Sequence, residues 1–403
     1  MNILFLTLAK IDNIEERMIY QFLMKEFVKN GHLVYIVCPL ERRFKTKTHL
    51  YESDGAIILR VKTLNIQKTN VIEKGIGTLI IGQQFMSAIN KYWSDVKFDL
   101  VTYSTPPITI IKVIDWVKKK YGAKTYLQLK DIFPQNALDL GMLTKTGIKG
   151  IIYQIFRNKE KKLYQLSDYI GCMSPANVEF VIKHNLEVNP KKVELCPNSF
   201  DLSNRIDYSM DREEIRRKYR LPLDKIIFIY GGNLGKPQGV PFLVKCLDAN
   251  KNRKDCHFLV VGSGTDYNIV EDWYKNNKNT SVSLHKLLPK EDYDKLVQAC
   301  DVGLIFLDYR FTIPNYPSRL LSYLENRMPV IACTDNNSDV GPIAENEGYG
   351  FYCPSNNVVA FTDCVNKMIQ SDIKIMGEKG YHFMEEMYQP INTYNAIMNH
   401  FND

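Results

Sequence analysis

The stretch Ile226-Ile227-Phe228-Ile229-Tyr230-Gly231-Gly232-Asn233-Leu234-Gly235-Lys236-Pro237-Gln238-Gly239 decides the fold. It opens with an unbroken apolar run of strand length, as a parallel strand buried on both faces requires. Glycines follow at once, and a helix-period segment comes after them. Strand, glycine turn and helix make the repeating unit of a parallel α/β layer. Such a turn lets backbone N–H groups approach a phosphate, and the next helix adds the positive end of its dipole. Lys236 supplies a counter-charge; a ligand-free glycine turn is the alternative. The spacing is neither G-x-G-x-x-G nor that of a Walker loop, so dehydrogenase and P-loop readings lose their main support.

The same rhythm extends in both directions. Downstream, Phe258–Val261, Val282–Leu284, Gly303–Leu307 and Val330–Cys333 read as strands, each followed by a turn and a helical pattern. Upstream, strands are expected at Ile3–Leu8, Val34–Cys38, Leu100–Ser104, Thr125–Leu129, Tyr169–Met173 and Val193–Cys196, with a helix over Glu15–Asn30 stopped by Gly31. The polar segment Leu202–Arg220 interrupts the pattern. Two doubly wound, Rossmann-like α/β domains hinged near 200–222 are the simplest architecture: 1–203, then 204–371, with helical residues 372–403 crossing back to the first. A single sheet of ten or more strands is disfavoured because twisted open sheets seldom grow so wide. Ligands of such domains bind at the carboxyl ends of the strands, here in the cleft between the halves.

Composition narrows the class. The chain has 403 residues, 45% hydrophobic and 24% charged, with 22 Gly and 17 Pro, which excludes collagen-like and disordered classes. A net charge of +7 from 52 basic and 45 acidic residues is too modest for a nucleic-acid-coating protein. The nine cysteines show no C-x-x-C and mostly lie in apolar runs, which fits a reduced, cytoplasmic setting. No signal-peptide pattern opens the sequence, and no apolar run is long enough to span a bilayer, so the protein is expected to be soluble or at most surface-bound.

Two further loops join the first. Gly262-Ser263-Gly264 ends the next strand; alone it is a weak signal. Pro314-Asn315-Tyr316-Pro317-Ser318-Arg319-Leu320-Leu321-Ser322-Tyr323-Leu324-Glu325 starts a helix near Ser318 whose first-turn N–H groups face the cleft. Arg319 adds a donor fork suited to a diphosphate, unless it merely pairs with a surface carboxylate. Together the three loops suit the diphosphate of a nucleotide-sugar. Asp292-Tyr293-Asp294 matches D-x-D but falls in a helix-like segment, where a solvated first turn is expected. The seven histidines show no metal spacing, and His285 is as plausible at the surface as in the cleft. Fixed cations and helix dipoles can stabilise a departing diphosphate, so no metal is required.

These motifs resemble the GT-B glycosyltransferases of family 4, the retaining glycosyl-group-1 transferases. The resemblance covers nearly the whole chain. It rests on Gly232-Asn233-Leu234-Gly235 with Gln238-Gly239, Val261-Gly262-Ser263-Gly264, Ala299-Cys300-Asp301-Val302, Pro317-Ser318-Arg319 (usually P-S-K), Pro329-Val330-Ile331-Ala332 and Gly348-Tyr349-Gly350. In the first domain it adds Asp131-Ile132-Phe133-Pro134, similar to R-D-L-W-P, and Pro197-Asn198-Ser199-Phe200-Asp201, similar to P-N-G-V-D. That subgroup looks like the O-antigen and capsule enzymes, N-acetylfucosaminyltransferases among them, which use a UDP-sugar donor and an undecaprenyl-diphosphate-linked acceptor.

The resemblance implies roles. Gly232, Asn233, Leu234, Gly235 and Gln238, with Gly262 and Gly264, would bind the donor, and Lys236 would be a catalytic cation. Pro317, Ser318, Arg319, Leu320 and Ser322 would do the same from the opposite helix, Arg319 as the second catalytic cation. Asp131 would serve the acceptor hydroxyl or the transferring sugar, unless it is a helix N-cap for the segment after Pro134. The departing phosphate oxygen itself would take the acceptor proton, and domain closure would exclude water. The sequence departs from the family where E-x7-E would place acids at Pro314 and Ser322, and where Arg327 replaces a glycine. Glu325 lies three residues after Ser322, roughly 300° around the helix, and is a poor substitute.

Residues 145–164 suggest a surface partner. Lys145, Lys149, Arg157, Lys159, Lys161 and Lys162 face the single acid Glu160, interleaved with Ile151, Ile152, Tyr153, Ile155 and Phe156. Such a helix either lies on anionic lipid headgroups or packs its apolar stripe on the sheet. Two rival functions stay open: a nucleotide-sugar 2-epimerase of the same fold, which needs more acids and a histidine, and a non-catalytic nucleotide-sugar-binding or transferase-partner protein.

Overall fold

The computed structural model describes residues 1–66, 69–203, 211–278 and 280–401; residues 204–210, inside the expected hinge, lie outside the described residues. The chain divides into two compact units, Met1–Asp201 with Tyr388–Asp403, and Leu202–Met387.

The first unit runs β1 (Asn2–Leu6), α1 (Ile19–Lys29), β2 (Leu33–Glu41), β3 (His49–Ser53), β4 (Ala56–Thr63), α2 (Val71–Tyr92) and β5 (Leu100–Ser104). It continues with α3 (Ile111–Tyr121), β6 (Lys124–Leu129), α4 (Gln135–Asp139), α5 (Gly147–Leu166), β7 (Tyr169–Cys172), α6 (Pro175–His184) and β8 (Val193–Leu195). Its sheet has the order β3-β4-β2-β1-β5-β6-β7-β8. Among the described residues of this sheet only the β3–β4 hairpin is antiparallel, with Ser53 opposite Ala56. The strands are buried on both faces: Ile3, Leu4, Phe5 and Leu6 are all fully covered.

The second unit runs α7 (Arg212–Lys218), β9 (Ile226–Asn233), α8 (Val240–Asn250), β10 (Cys256–Ser263), α9 (Tyr267–Asn276), β11 (Val282–Lys286) and α10 (Lys290–Gln298). Then come β12 (Val302–Phe306), α11 (Arg319–Glu325), β13 (Val330–Thr334), α12 (Val340–Asn346), β14 (Gly350–Pro354), α13 (Val358–Gln370) and α14 (Ile373–Met387). Its parallel sheet has the order β11-β10-β9-β12-β13-β14. The chain winds outward from β9 to β11, then returns to lay β12 on the other side of β9. That reversal opens a crevice at the carboxyl ends of β9 and β12.

Of the terminal stretch 372–403, α14 stays with the second unit, and the return begins at Tyr388. The last helix, α15 (Pro390–Met398), packs on α1 and places Ile397 and Met398 in the first unit's core. Strands β3, β4 and β14 add to those expected from the sequence.

Candidate functional site

At the reversal point the two central strands separate early. Their register holds for Val302 opposite Phe228 and Gly303 opposite Ile229, and no pair follows. The buried Tyr323, on α11, places its hydroxyl in the gap. Oη accepts from the Gly231 N–H at 3.2 Å and lies 3.2 Å from the Ile229 carbonyl and 3.3 Å from that of Leu304. One phenol thus satisfies backbone groups that a continuous ladder would have paired. Burial is the main reason its hydroxyl is pushed up to about 12, so it stays a neutral donor. Gly303 makes this possible: a Cβ there would sit 2.2 Å from the Tyr323 ring.

A second tyrosine packs from above. A Cβ on Gly231 would lie 1.8 Å from the hydroxyl of Tyr293. Next to it, Gly232 holds φ +116°, a conformation closed to side chains, and faces the Arg319 guanidinium. That guanidinium lies 4.4 Å from the centre of the Tyr230 ring. Its Nη1 is buried without a hydrogen-bond partner, and among the described residues Arg319 forms no ion pair. The surface-carboxylate alternative for Arg319 therefore has no support. The guanidinium thus keeps one hydrogen-bond donor free beside the glycine turn.

The loop after β9 is tied to itself and its neighbour. Asn233 Nδ2 donates to Gln238 Oε1 at 2.7 Å, and the Gly235 N–H reaches the same oxygen at 3.3 Å. Leu234 is fully buried; its N–H donates to Ser263 O and its carbonyl accepts from Asp266 N, both at 2.9 Å. Gly262 and Gly264 allow this contact, since a Cβ on either would strike the carbonyl of Gly232 or Leu234 at 2.0 and 2.2 Å. Leu234, Gly262 and Gly264, expected among the donor-binding residues, thus work by bringing two loops together. Lys236 opens one turn of 3-10 helix, Lys236–Gln238, and is exposed.

On the facing helix, Leu320 is buried, and its N–H is used by the Pro317 carbonyl at 3.2 Å. The Leu321 N–H is used by Ser318. Ser318 is exposed at the helix start, and Ser322 is half-buried. Pro314 is buried, so neither E-x7-E position offers a charge.

In the first unit, Asp131 follows β6. Its N–H and that of Lys130 approach Thr105 Oγ1 at 3.3 and 3.1 Å, which fixes the loop against the end of β5. It is not a helix cap: α4 is capped by Pro134, without a side-chain bond. The residue is exposed to solvent, yet desolvation by the surrounding protein raises its carboxyl to about 6. At the same carboxyl edge, Asn198 Oδ1 and Ser199 Oγ are buried without partners among the described residues.

The other candidates resolve differently. Asp292 pairs with Lys218 and Asp294 with Lys290, as a solvated helix start would. Among the described residues no group of three or more His, Cys, Asp or Glu is placed to hold a metal ion. His285 lies within β11, edge-on to Tyr219. A basic cavity of about 700 Å³, lined by Arg220, Lys225, Lys251, Arg253 and Lys254, sits at the amino ends of β9 and β10, away from the glycine loops. Asp301, in the Ala299–Val302 motif, anchors structure: it pairs with Arg212 and Arg216 and accepts from the Ile227 N–H.

Comparison with known proteins agrees with this architecture. Residues 211–383 match the family model "Glycosyl transferases group 1". The Pseudomonas aeruginosa protein "Probable glycosyltransferase WbjE" is 21% identical over 323 residues, 80% of this chain and 78% of its own. The Escherichia coli protein "Putative colanic acid biosynthesis glycosyl transferase WcaI" is 23% identical over 230 residues, 57% of this chain and 54% of its own. Among solved structures, sucrose-phosphate synthase from Thermosynechococcus elongatus superposes with a TM-score of 0.76 at 14% identity, covering 100% of this chain and 98% of its own. Anabaena HepE in complex with UDP-glucose gives 0.68 at 12% identity, covering 100% and 99%. The chain has the GT-B fold of two Rossmann-like units, and its second unit is similar over residues 211–383 to the glycosyl transferases group 1 model.

Proposed function

We propose that this protein transfers a sugar from a UDP-sugar to a polyprenyl-diphosphate-linked glycan during capsule or O-antigen synthesis, with retention at the anomeric carbon. The observation that carries the reading is Arg319 at the carboxyl edge of β9: its Nη1 is buried without a partner, and its Nη2 lies 3.7 Å from where a Cβ on the side-chain-free Gly232 would be. A diphosphate is the anion whose oxygens suit that fork. Exposed Lys236 adds a second cation, and the two would stabilise charge as the nucleoside diphosphate departs. Asp131 serves the acceptor hydroxyl, and the leaving phosphate oxygen takes its proton. An N-acetylated deoxyhexosamine such as N-acetylfucosamine is the proposed sugar, and the cytoplasmic membrane face the proposed location. Anabaena HepE, similar in fold, is solved with UDP and with UDP-glucose, which supports the donor class.

Calorimetry with UDP and turnover with UDP-sugars test the reading. Arg319→Ala should weaken UDP binding at least tenfold, Arg319→Lys should recover part of it, and Lys236→Ala should lower kcat. Parent-like binding and rates in both alanine variants would defeat it. The replacement of both family acids by Pro314 and Ser322 favours one alternative, a nucleotide-sugar-binding protein without turnover. It predicts UDP affinity with no transfer to any acceptor.

A further inference from the structure

The outward face of α5 is apolar where a water-facing helix should be polar. Ile148, Ile151, Ile152 and Ile155 are 80%, 63%, 39% and 49% exposed. The aromatic residues turn the other way: Tyr153 and Tyr164 are buried in the unit, and Phe156 packs edge-on to Phe133. At 100° per residue the four isoleucines, Lys159 and Lys162 share one stripe about 100° wide. Isoleucines occupy its first turns, over about 10 Å of helix axis, and lysines its last. The only acid of the helix, Glu160, is buried and paired with Arg157.

A second helix repeats the arrangement. On α2, Ile76, Leu79 and Ile80 are exposed on the amino-terminal half. Helix α3 packs against both α2 and α5, so the three form one layer. Because α2 follows β4 and α5 follows the parallel β6, both amino-terminal halves lie at the carboxyl edge of the sheet. Exposed Lys74, Lys112 and Lys149 lie on the same layer. Isolated exposed apolar side chains are ordinary, but two aligned clusters on adjacent helices are not.

We infer that this layer is a docking surface for an acidic phospholipid bilayer, with the exposed isoleucines and leucine of α2 and α5 entering the acyl boundary and the lysines meeting headgroup phosphates. Charge decides the occupant. An apolar patch bordered by lysines without a free carboxylate on α5 fits an anionic sheet, and a second copy of the same surface would set lysine against lysine. Lysines further along the stripe keep their ammonium groups at headgroup depth while their stems lie on apolar surface. This surface stands independently of the transfer reaction, since its test reads lipid binding and not turnover.

The full chain is mixed with vesicles of phosphatidylcholine containing 30% phosphatidylglycerol in 50 mM salt, and bound protein is measured by flotation. Strong binding is expected, with at least a tenfold loss on pure phosphatidylcholine or in 500 mM salt. Ile148→Ser with Ile151→Ser should lower partitioning at least tenfold, and so should Lys159→Gln with Lys162→Gln. Ile148, Ile151 and Lys162 are exposed and Lys159 half-buried, so unchanged circular dichroism and melting are expected. Ile375→Ser, an equally exposed site on α14, should leave binding intact. Absence of binding, equal binding by all variants, or a parent dimer that the isoleucine variant dissociates would overturn the inference.

Discussion

At the scale of single residues, the site divides into side chains that motifs disclose and side chains that only packing discloses. Arg319 and Lys236 stand in loops whose glycines and prolines are visible in the sequence. Tyr293 and Tyr323 do not, because an aromatic at helical spacing reads as core. The D-x-D spacing drew attention to Asp292 and Asp294, yet the tyrosine between them is what reaches Gly231. Asp131 yields a prediction in pH. Its carboxyl is raised from 3.8 to about 6 by burial, so the folded chain favours the neutral form. Stability from this group is present below about pH 4 and lost as pH rises through about 6. Asp131→Asn, neutral throughout, should melt progressively higher than the parent between pH 4 and pH 8, by a small margin because the residue is exposed. A constant offset across that range would contradict the raised carboxyl.

At the scale of elements, α11 shows how a departure from a family pattern is accommodated. Arg327 follows the helix at φ +51°, where the resemblance expects glycine. Its Nε donates to Glu378 at 2.8 Å, and its guanidinium lies 3.9 Å from the centre of the Tyr381 ring, both on α14. Left-handed backbone costs a non-glycine residue about 1 kcal/mol, which these exposed contacts roughly offset. Arg327→Gly should therefore change stability by less than about 1 kcal/mol, whereas Arg327→Val should cost about 1–3 kcal/mol. Chemical denaturation separates the two; equal tolerance would refute the account. The β3–β4 hairpin was equally legible in principle: Asp54-Gly55, at φ +49° and +85°, is a two-residue turn signal between short alternating runs. Strand β3 is short and mostly exposed, and Arg60 and Lys62 break the apolar run of the buried β4, so apolar runs alone pass over them.

At the scale of the molecule, the first unit is completed by the last residues of the chain. Besides the core positions of Ile397 and Met398, His400 stacks on Tyr169 at 3.6 Å and pairs with Glu194 at 2.7 Å. The Tyr388 carbonyl accepts from the Phe200 N–H at 2.7 Å. Ending the chain at Met387 should destabilise the first unit by at least about 3–5 kcal/mol, the scale of emptied core positions. Hydrogen exchange should rise in β1, β7 and β8 and stay unchanged in β9–β14. Unchanged protection of β1 would show that the return is dispensable.

The sequence by itself determined the alternation of strand and helix, the two Rossmann-like units and the loops that carry cations. Those follow from apolar runs, glycines and prolines, which act over a few neighbouring residues. Tertiary structure decided the rest: that Tyr323 fills the opening between β9 and β12, that the isoleucines of α5 face outward while its tyrosines face in, and that the return starts at Tyr388. Each depends on which side of an element meets a neighbour distant in sequence, and helical spacing alone does not say which of two apolar faces the core will take.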